Sequence, residues 1–557
     1  MRMKKLRALF LAMTVGIALM GCQSGASGEG GSSGESEVNE RLTAENGNLT
    51  EQDSVSDEGS IPEEQNDPVY GGTLYMSREG TMTETDLYPH MKQNSLTNIS
   101  MSPAVEQLFY LDGQGEMVPQ LAKSWDVSDD GLTYTFHLQE DVKFHDGSDF
   151  NAEVAMWNLQ QGKDVAQETN SSNDKIDTMR VVDEHTLEVT FSEVTALTFL
   201  SFDSWIFSQK AFEENGLEWC SKNPVGTGPF VFDHWTLDSE LVYTKNENYW
   251  VEGQPYLDGV TFKIIKDNVA LAAAMQNNEV DGVNNIKSTE LIDTMVGQGD
   301  VNILRGENVV GVMSLMPCGT ESSPLNNTNI RKALAYAMDW KAISESTFHP
   351  EVNITLNQIA SPDSMFYSDQ VTEYTYDPEK AIELLNQEGY NESNPLSVVL
   401  VSENNPVYKS MCEAVQAYFL QVGIDCDINI LESAAYFEQV IVNPWEDNWI
   451  VYMASNFTGG VPLTVADRLM GANHAQTFAS VYFPDEWVDN IVKAASQKTL
   501  DEAVPYYKAA NEAFFNDYCG FIGVNGSYSV TCMKNDIHGY IADYQTTQYG
   551  SVWKENN

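Results

Sequence analysis

The chain has 557 residues, with 82 Asp and Glu against 30 Lys and Arg, and a formal net charge of −52. That acid excess argues against nucleic-acid binding, which needs clustered Lys and Arg for phosphate contacts. The length exceeds what one hydrophobic core supports, so two or three domains are expected.

Residues 1–22 read as an export signal. A basic MRMKKLR precedes an apolar run, Ala8 to Met20, that is shorter than the roughly 20 residues needed to span a bilayer. The run ends in Leu19-Met20-Gly21-Cys22, which resembles a bacterial lipobox. That resemblance implies cleavage before Cys22 and lipid on its thiol; the alternative is an ordinary secretion signal with an incidental cysteine. Residues 23–69 are rich in Gly, Ser and Glu and lack apolar periodicity, so they are expected to form a disordered acidic tether. No other stretch is apolar for 18 residues, so the expectation is a body anchored outside the bacterial cell membrane, not one that spans it.

The body alternates strand and helix signals. Trp125 and Val127 alternate, Ser128-Asp129-Asp130-Gly131 makes a turn, and Leu132, Tyr134, Phe136 and Leu138 alternate again: a hairpin with one buried face. Leu187, Val189 and Phe191 repeat the pattern. Asp377-Pro378-Glu379 opens a helix, Ala381, Leu384 and Leu385 share a face, and Gly389 ends it. A second helix carries Met411, Ala414, Val415, Tyr418 and Val422, stops at Gly423, and leads into the strand Ile424, Cys426, Ile428, Ile430. Helix, glycine and strand make an α/β unit.

Seven cysteines are present. Beyond Cys22, the pairs nearest in sequence are Cys412–Cys426 and Cys519–Cys532; Cys220 and Cys318 complete the set. Free buried thiols are the equal alternative to disulfides. No CxxC or HExxH occurs and the eight histidines are scattered, so neither a metal cage nor a cofactor is expected.

The segment Leu121 to Val154 is similar to the signature of the family 5 extracellular solute-binding proteins of ABC importers. The likeness rests on Ser124-Trp125, Asp129-Asp130-Gly131, Thr135-Phe136, and Phe144-His145-Asp146-Gly147 ahead of Ala152-Glu153-Val154. Further matches follow in family order. They are Gly226-Thr227-Gly228-Pro229-Phe230, Asn248-Tyr249-Trp250, Tyr256-Leu257-Asp258-Gly259-Val260, Glu279-Val280-Asp281-Gly282, Ile330-Arg331-Lys332-Ala333-Leu334 and Tyr376-Asp377-Pro378. The Gly226 motif lacks the GK[ST] ending of a phosphate loop and reads as a turn. Asp146-Gly147 likewise reads as turn chemistry.

The resemblance implies an α/β, two-lobed, periplasmic-binding-protein-like fold with a hinge and an extra inserted domain in one lobe. Mapped here, lobe I takes residues 70–112, 190–309 and 520–557, the inserted domain 113–189, and lobe II 310–519. The function implied is capture of peptides between the lobes and delivery to the membrane subunits of an ABC permease, by a monomer without catalysis. In peptide-binding relatives a Trp is followed by an Asp that pairs with the peptide ammonium. Here the stretch is Asn448 to Gly460, and the carboxylate is replaced near Ser455 or Asn456. Either Glu446 or Asp447 substitutes, or the ligand has no free amino terminus there. Trp449, Tyr452, Ser455, Asn456 and Asn473 are the candidate ligand contacts, and their neutral, aromatic character also suits an oligosaccharide. Asp86 and Tyr88-Pro89-His90 resemble the family's early cleft strand, with His90 expected to cap a turn. A secreted hydrolase with paired carboxylates is the remaining class; no GxSxG supports it. A sensor role is not separable from import by sequence.

Overall fold

The structure is a computed structural model that describes residues 67–80, 86–91, 95–112, 115–169, 171–456, 461–465, 480, 481, 483–542 and 548–555. The signal peptide with Cys22, nearly all of the tether, and Asn473 lie outside the described residues. An 11-stranded mixed sheet forms the frame. Its strands are β1 (Thr73–Arg78), β2 (Phe230–Thr236), β3 (Glu240–Lys245), β4 (Gly259–Lys263), β5 (Gly282–Asn284) and β6 (Val301–Pro317). They continue with β7 (Asn353–Leu356), β8 (Ser397–Glu403), β9 (Asp425–Leu431), β10 (Trp449–Asn456) and β11 (Ile522–Lys534). The order is β2-β3-β4-β1-β5-β11-β6-β10-β8-β9, with β7 against β11.

Two long antiparallel strands, β6 and β11, tie the ends of this sheet together. They pair from Val301 with Lys534 to Leu315 with Ile522, and the register slips between Arg305, Val309 and Gly311. Slips of this kind bend and twist a strand pair. At one end Leu74, Met76, Val260 and Phe262 build a core against Phe230 and Tyr243. At the other end the sheet is covered on both faces. Successive β10 residues therefore enter different cores: Ile450 and Tyr452 join Leu400 and Phe419, whereas Val451 and Met453 join Trp487 and Phe514. Such a strand reads as a continuous apolar run.

The expected hairpin forms part of a separate four-stranded sheet, Ala122–Val127, Thr133–Leu138, Thr186–Phe191 and Ile176–Asp183. Its turn is tied by Asp130, whose Oδ1 accepts the Ser128 hydroxyl at 2.6 Å and the Leu132 amide at 3.0 Å. Gly131 takes φ +77°, a conformation open to glycine. Phe136, Leu138, Leu187, Val189 and Phe191 bury themselves here with Leu159 of the helix Ala152–Thr169.

Both expected helices form. Pro378–Gln387 is capped by Asp377, which accepts the Lys380 amide at 2.9 Å. Pro406–Gln421 is capped by Asn405, buries Met411, Cys412, Val415 and Phe419, and joins β8 to the parallel β9. The cysteines follow the second of the two alternatives. Among the described residues there is no disulfide, and Cys220, Cys318, Cys412, Cys426, Cys519 and Cys532 are free and buried. Burial pushes the thiols of Cys412, Cys426, Cys519 and Cys532 up to about 12, so they pack as inert small hydrophobes.

Candidate functional site

A cleft of about 900 Å³, open to solvent, lies where β6 and β11 cross between the two ends of the sheet. Val312 and Met313 of β6 and Ser527 to Thr531 of β11 make its floor. Asn284, which ends β5, and Asn285, Ile286 and Lys287 after it make one wall. Asn405, Val407 and Tyr408, at the start of the helix Pro406–Gln421, and Ala454 of β10 make the other. The concave shape and the apolar lining with few polar groups suit a small-molecule ligand.

Strand alternation decides what β10 offers to this cleft. Tyr452 is 1 % exposed; its hydroxyl reaches Met313 Sδ at 3.5 Å and its ring meets Tyr408 edge-on at 5.2 Å. Tyr452, read from sequence as a ligand contact, is therefore a core residue with no surface for a ligand. Trp449 is half-buried at the opposite end of the strand and packs against the Trp487 core. Ala454 is exposed and lines the cleft, and Ser455 beside it is half-buried, opposite Val312. Asn456 ends the strand opposite Gly311. β8 pairs with β10 only through Val451, so beyond that point this edge of β10 has no strand partner among the described residues. The Tyr436 hydroxyl takes the Tyr452 carbonyl at 3.2 Å.

Neither proposed replacement carboxylate reaches this end of β10. Asp447 lies before Trp449, where its Oδ1 accepts the Thr320 and Ser322 hydroxyls at 2.7 and 2.9 Å. Glu446 is exposed beside it. Glu403, closing β8, is the carboxylate nearer the cleft end, and its Oε1 accepts the Ser433 hydroxyl at 2.5 Å.

Lys287 was not singled out by its sequence context. Its only local signal is a basic residue following Glu279-Val280-Asp281-Gly282 in a strongly acidic chain. The surrounding concavity lowers its ammonium pKa, against the opposing pull of Glu79 and Glu403. The side chain keeps contact with solvent.

Other motif residues hold the frame. Glu106 is 3 % exposed, and three motif side chains converge on it: Thr227 Oγ1 at 2.7 Å, Tyr249 Oη at 2.8 Å and Trp250 Nε1 at 2.9 Å. Burial pushes its carboxyl up to about 7 although these donors pull it down. His90 bridges instead of capping a turn, with Nδ1 2.9 Å from Asp203 Oδ2 and Nε2 2.9 Å from Asn158 Oδ1. Burial works against its charged form, but Asp203 outweighs it and the imidazole pKa is raised. His145 Nε2 donates to the Gly228 carbonyl at 2.9 Å, and burial lowers that imidazole to about 4. Arg331 is buried against carbonyls, with Nε on Tyr518 O at 2.7 Å and Nη1 on Leu325 O at 2.8 Å. A Cβ at Gly226 would collide with the Ala104 carbonyl, so that motif is a packing turn. Among the described residues no group of three or more His, Cys, Asp and Glu could hold a metal ion.

The chain resembles solved two-lobed binding proteins. One is the oligopeptide-binding protein AppA from Bacillus subtilis in complex with a nonapeptide, with a TM-score of 0.69 and 20% identity over 88% of this chain and 100% of that one. Curated relatives include heme-binding protein A of Haemophilus influenzae, 27% identical over 77% of this chain and 82% of the relative. The glutathione-binding protein GsiB of Escherichia coli O1:K1 / APEC is 26% identical over 78% of this chain and 85% of the relative. Fold and cleft define a two-lobed solute-binding protein, which captures a ligand and does not transform it. Residues 116–466 match the model of bacterial extracellular solute-binding proteins, family 5, and the chain belongs to that family.

Proposed function

We propose that this protein captures short peptides in the cleft and hands them to an ABC permease, tethered outside the cell membrane by lipid on Cys22. One observation supports the peptide reading above others. Among the described residues the edge of β10 past Val451 lacks a strand partner, and Ala454 on that stretch lines the cleft. An extended peptide can add to such an edge through main-chain hydrogen bonds, with side chains in apolar pockets. Relatives named for peptide binding share the fold. The irregular stretch of β6 and β11 under the cleft suits a hinge about which two lobes close. Residues 310–519 and the two flanking segments of lobe I, with 113–189 inserted, remain the proposed division. Ser455 is proposed as a neutral contact in place of a carboxylate.

A thermal-shift screen of short free peptides, oligosaccharides and nickel chelates tests this reading. A ligand that binds only the native state raises the melting temperature by mass action. A shift with peptides supports the reading; a shift with oligosaccharides alone transfers the site to sugars, whose partners would be the amides of Asn284, Asn285 and Asn405.

A further inference from the structure

Among the described residues lining the cleft, Lys287 is the only charged one. Its ammonium makes no hydrogen bond or ion pair with a described residue. The carboxylates within electrostatic reach, Glu79 and Glu403, are already engaged. Glu79 Oε2 accepts the backbone amides of Lys287 at 2.5 Å and Ser288 at 3.1 Å, and its Oε1 accepts Asn268 Nδ2 at 3.0 Å. Glu403 holds Ser433. An ammonium in a closing cleft with no partner is costly, and an anionic group on the ligand removes that cost.

Two neighbours add to the preference. Asn284, 5 % exposed and on the same wall, has an Oδ1 with no hydrogen-bond partner, ready to accept an N–H. Across the cleft, the N-terminal turn of the 16-residue helix Pro406–Gln421 brings no competing anion, its first amides being taken by the Asn405 side chain. A cation and an unpaired acceptor side by side on one wall match one chemical group: a carboxylate next to an amide N–H, as at the C-terminus of a peptide.

We infer that Lys287 is the specificity residue that binds the ligand's terminal carboxylate, with Asn284 accepting the last amide N–H. This rests on the peptide reading above. It sets the polarity of the bound peptide: the carboxylate lies at the Asn284–Lys287 wall.

The test is calorimetric titration of the full-length protein with a panel of apolar tri- to hexapeptides. The tightest binder is then compared with its N-acetyl and C-amide forms, on wild type, Lys287→Met and Lys287→Arg. C-amidation is expected to weaken binding to wild type at least about tenfold, a typical cost of removing one partner from a charged pair. Lys287→Met should bind the free acid as weakly as the amide, and Lys287→Arg should keep the distinction. If acid and amide bind wild type equally, or Lys287→Met still tells them apart, the inference is overturned while peptide capture stands. If no free peptide binds at all, the peptide reading fails first and takes the inference with it. Should Lys287→Met not fold, the acid and amide comparison on wild type decides alone.

Discussion

The hydroxyl of Tyr452 lies 3.5 Å from the sulfur of Met313 on the neighbouring strand. That contact fixes which way β10 faces. Tyr452 points into the core with Ile450, the next residue points into the other core, and two residues on Ala454 emerges in the cleft on the same face as Tyr452. The strand is a core element for its first half and a cleft wall for its end.

Tyr452→Ala should therefore act on stability. Truncating a buried aromatic costs about 3–5 kcal/mol. Tyr452→Phe should cost about 1 kcal/mol or less, because a thioether is a weak acceptor. Urea denaturation measures both, and ligand affinity of the Phe variant should be unchanged.

Trp449→Ala separates the two ends of the same strand. At about 3.3 Å per residue, Trp449 lies on the order of 17 Å from Ala454. The account expects a loss of roughly 1–3 kcal/mol of stability, since the ring is half-buried against a core, and unchanged ligand affinity. A large drop in affinity with full stability would move the site to the Trp449 end.

Glu106 gives a pH signature of definite sign. Its folded pKa is raised to about 7, so above the unfolded value the folded state keeps a proton that the unfolded state has lost. Its contribution to stability is full below pH 4.5 and is lost as pH rises through about 7. His145, lowered to about 4, acts in the opposite direction: its contribution is full above the unfolded value of 6.5 and is lost as pH falls through about 4. The two mask each other in the wild-type curve. The difference between wild type and Glu106→Gln isolates the first. Wild type should lose ground to the variant by on the order of 3 kcal/mol between pH 4.5 and 8, measured by denaturant titration across that range. A difference independent of pH would mean that Glu106 titrates normally.

Gly226→Ala should be among the most damaging single substitutions. The added methyl meets the Ala104 carbonyl, which is backbone and cannot turn aside; at Gly228 it would sit 2.6 Å from the Pro103 carbonyl. A loss of roughly 3 kcal/mol or more, or failure to fold, is expected. Phosphate should not shift the melting temperature of the wild type, since this turn is packed against residues 103–105.

Much of the scaffold was legible because its signals are local. Asp377 and Asn405 cap helices through amides two and three residues on, and Asp130-Gly131 closes a hairpin within its own turn. The cleft was less legible because its walls meet only through long-range pairing. Lys287 gains its position from β5 lying between β1 and β11, and no local pattern encodes that. Tyr452 was misjudged for a related reason. Residues 449 to 453 are a continuous apolar run, which suits a strand covered on both faces, but the pattern does not say where along the strand the cover ends and the cleft begins. Near spacing of Cys412 and Cys426 said nothing of their pairing, since helix and strand each place a thiol in a shared apolar layer.

The most direct test is calorimetric titration of wild type and Ala454→Trp with whichever free peptide raises the melting temperature most. Ala454 is exposed in the cleft, so an indole there should fill space without disturbing a core. The account predicts an unchanged melting temperature without ligand and peptide binding weakened at least about tenfold, or about 1.4 kcal/mol. Equal binding by both proteins would place the ligand elsewhere and contradict the assignment of this cleft.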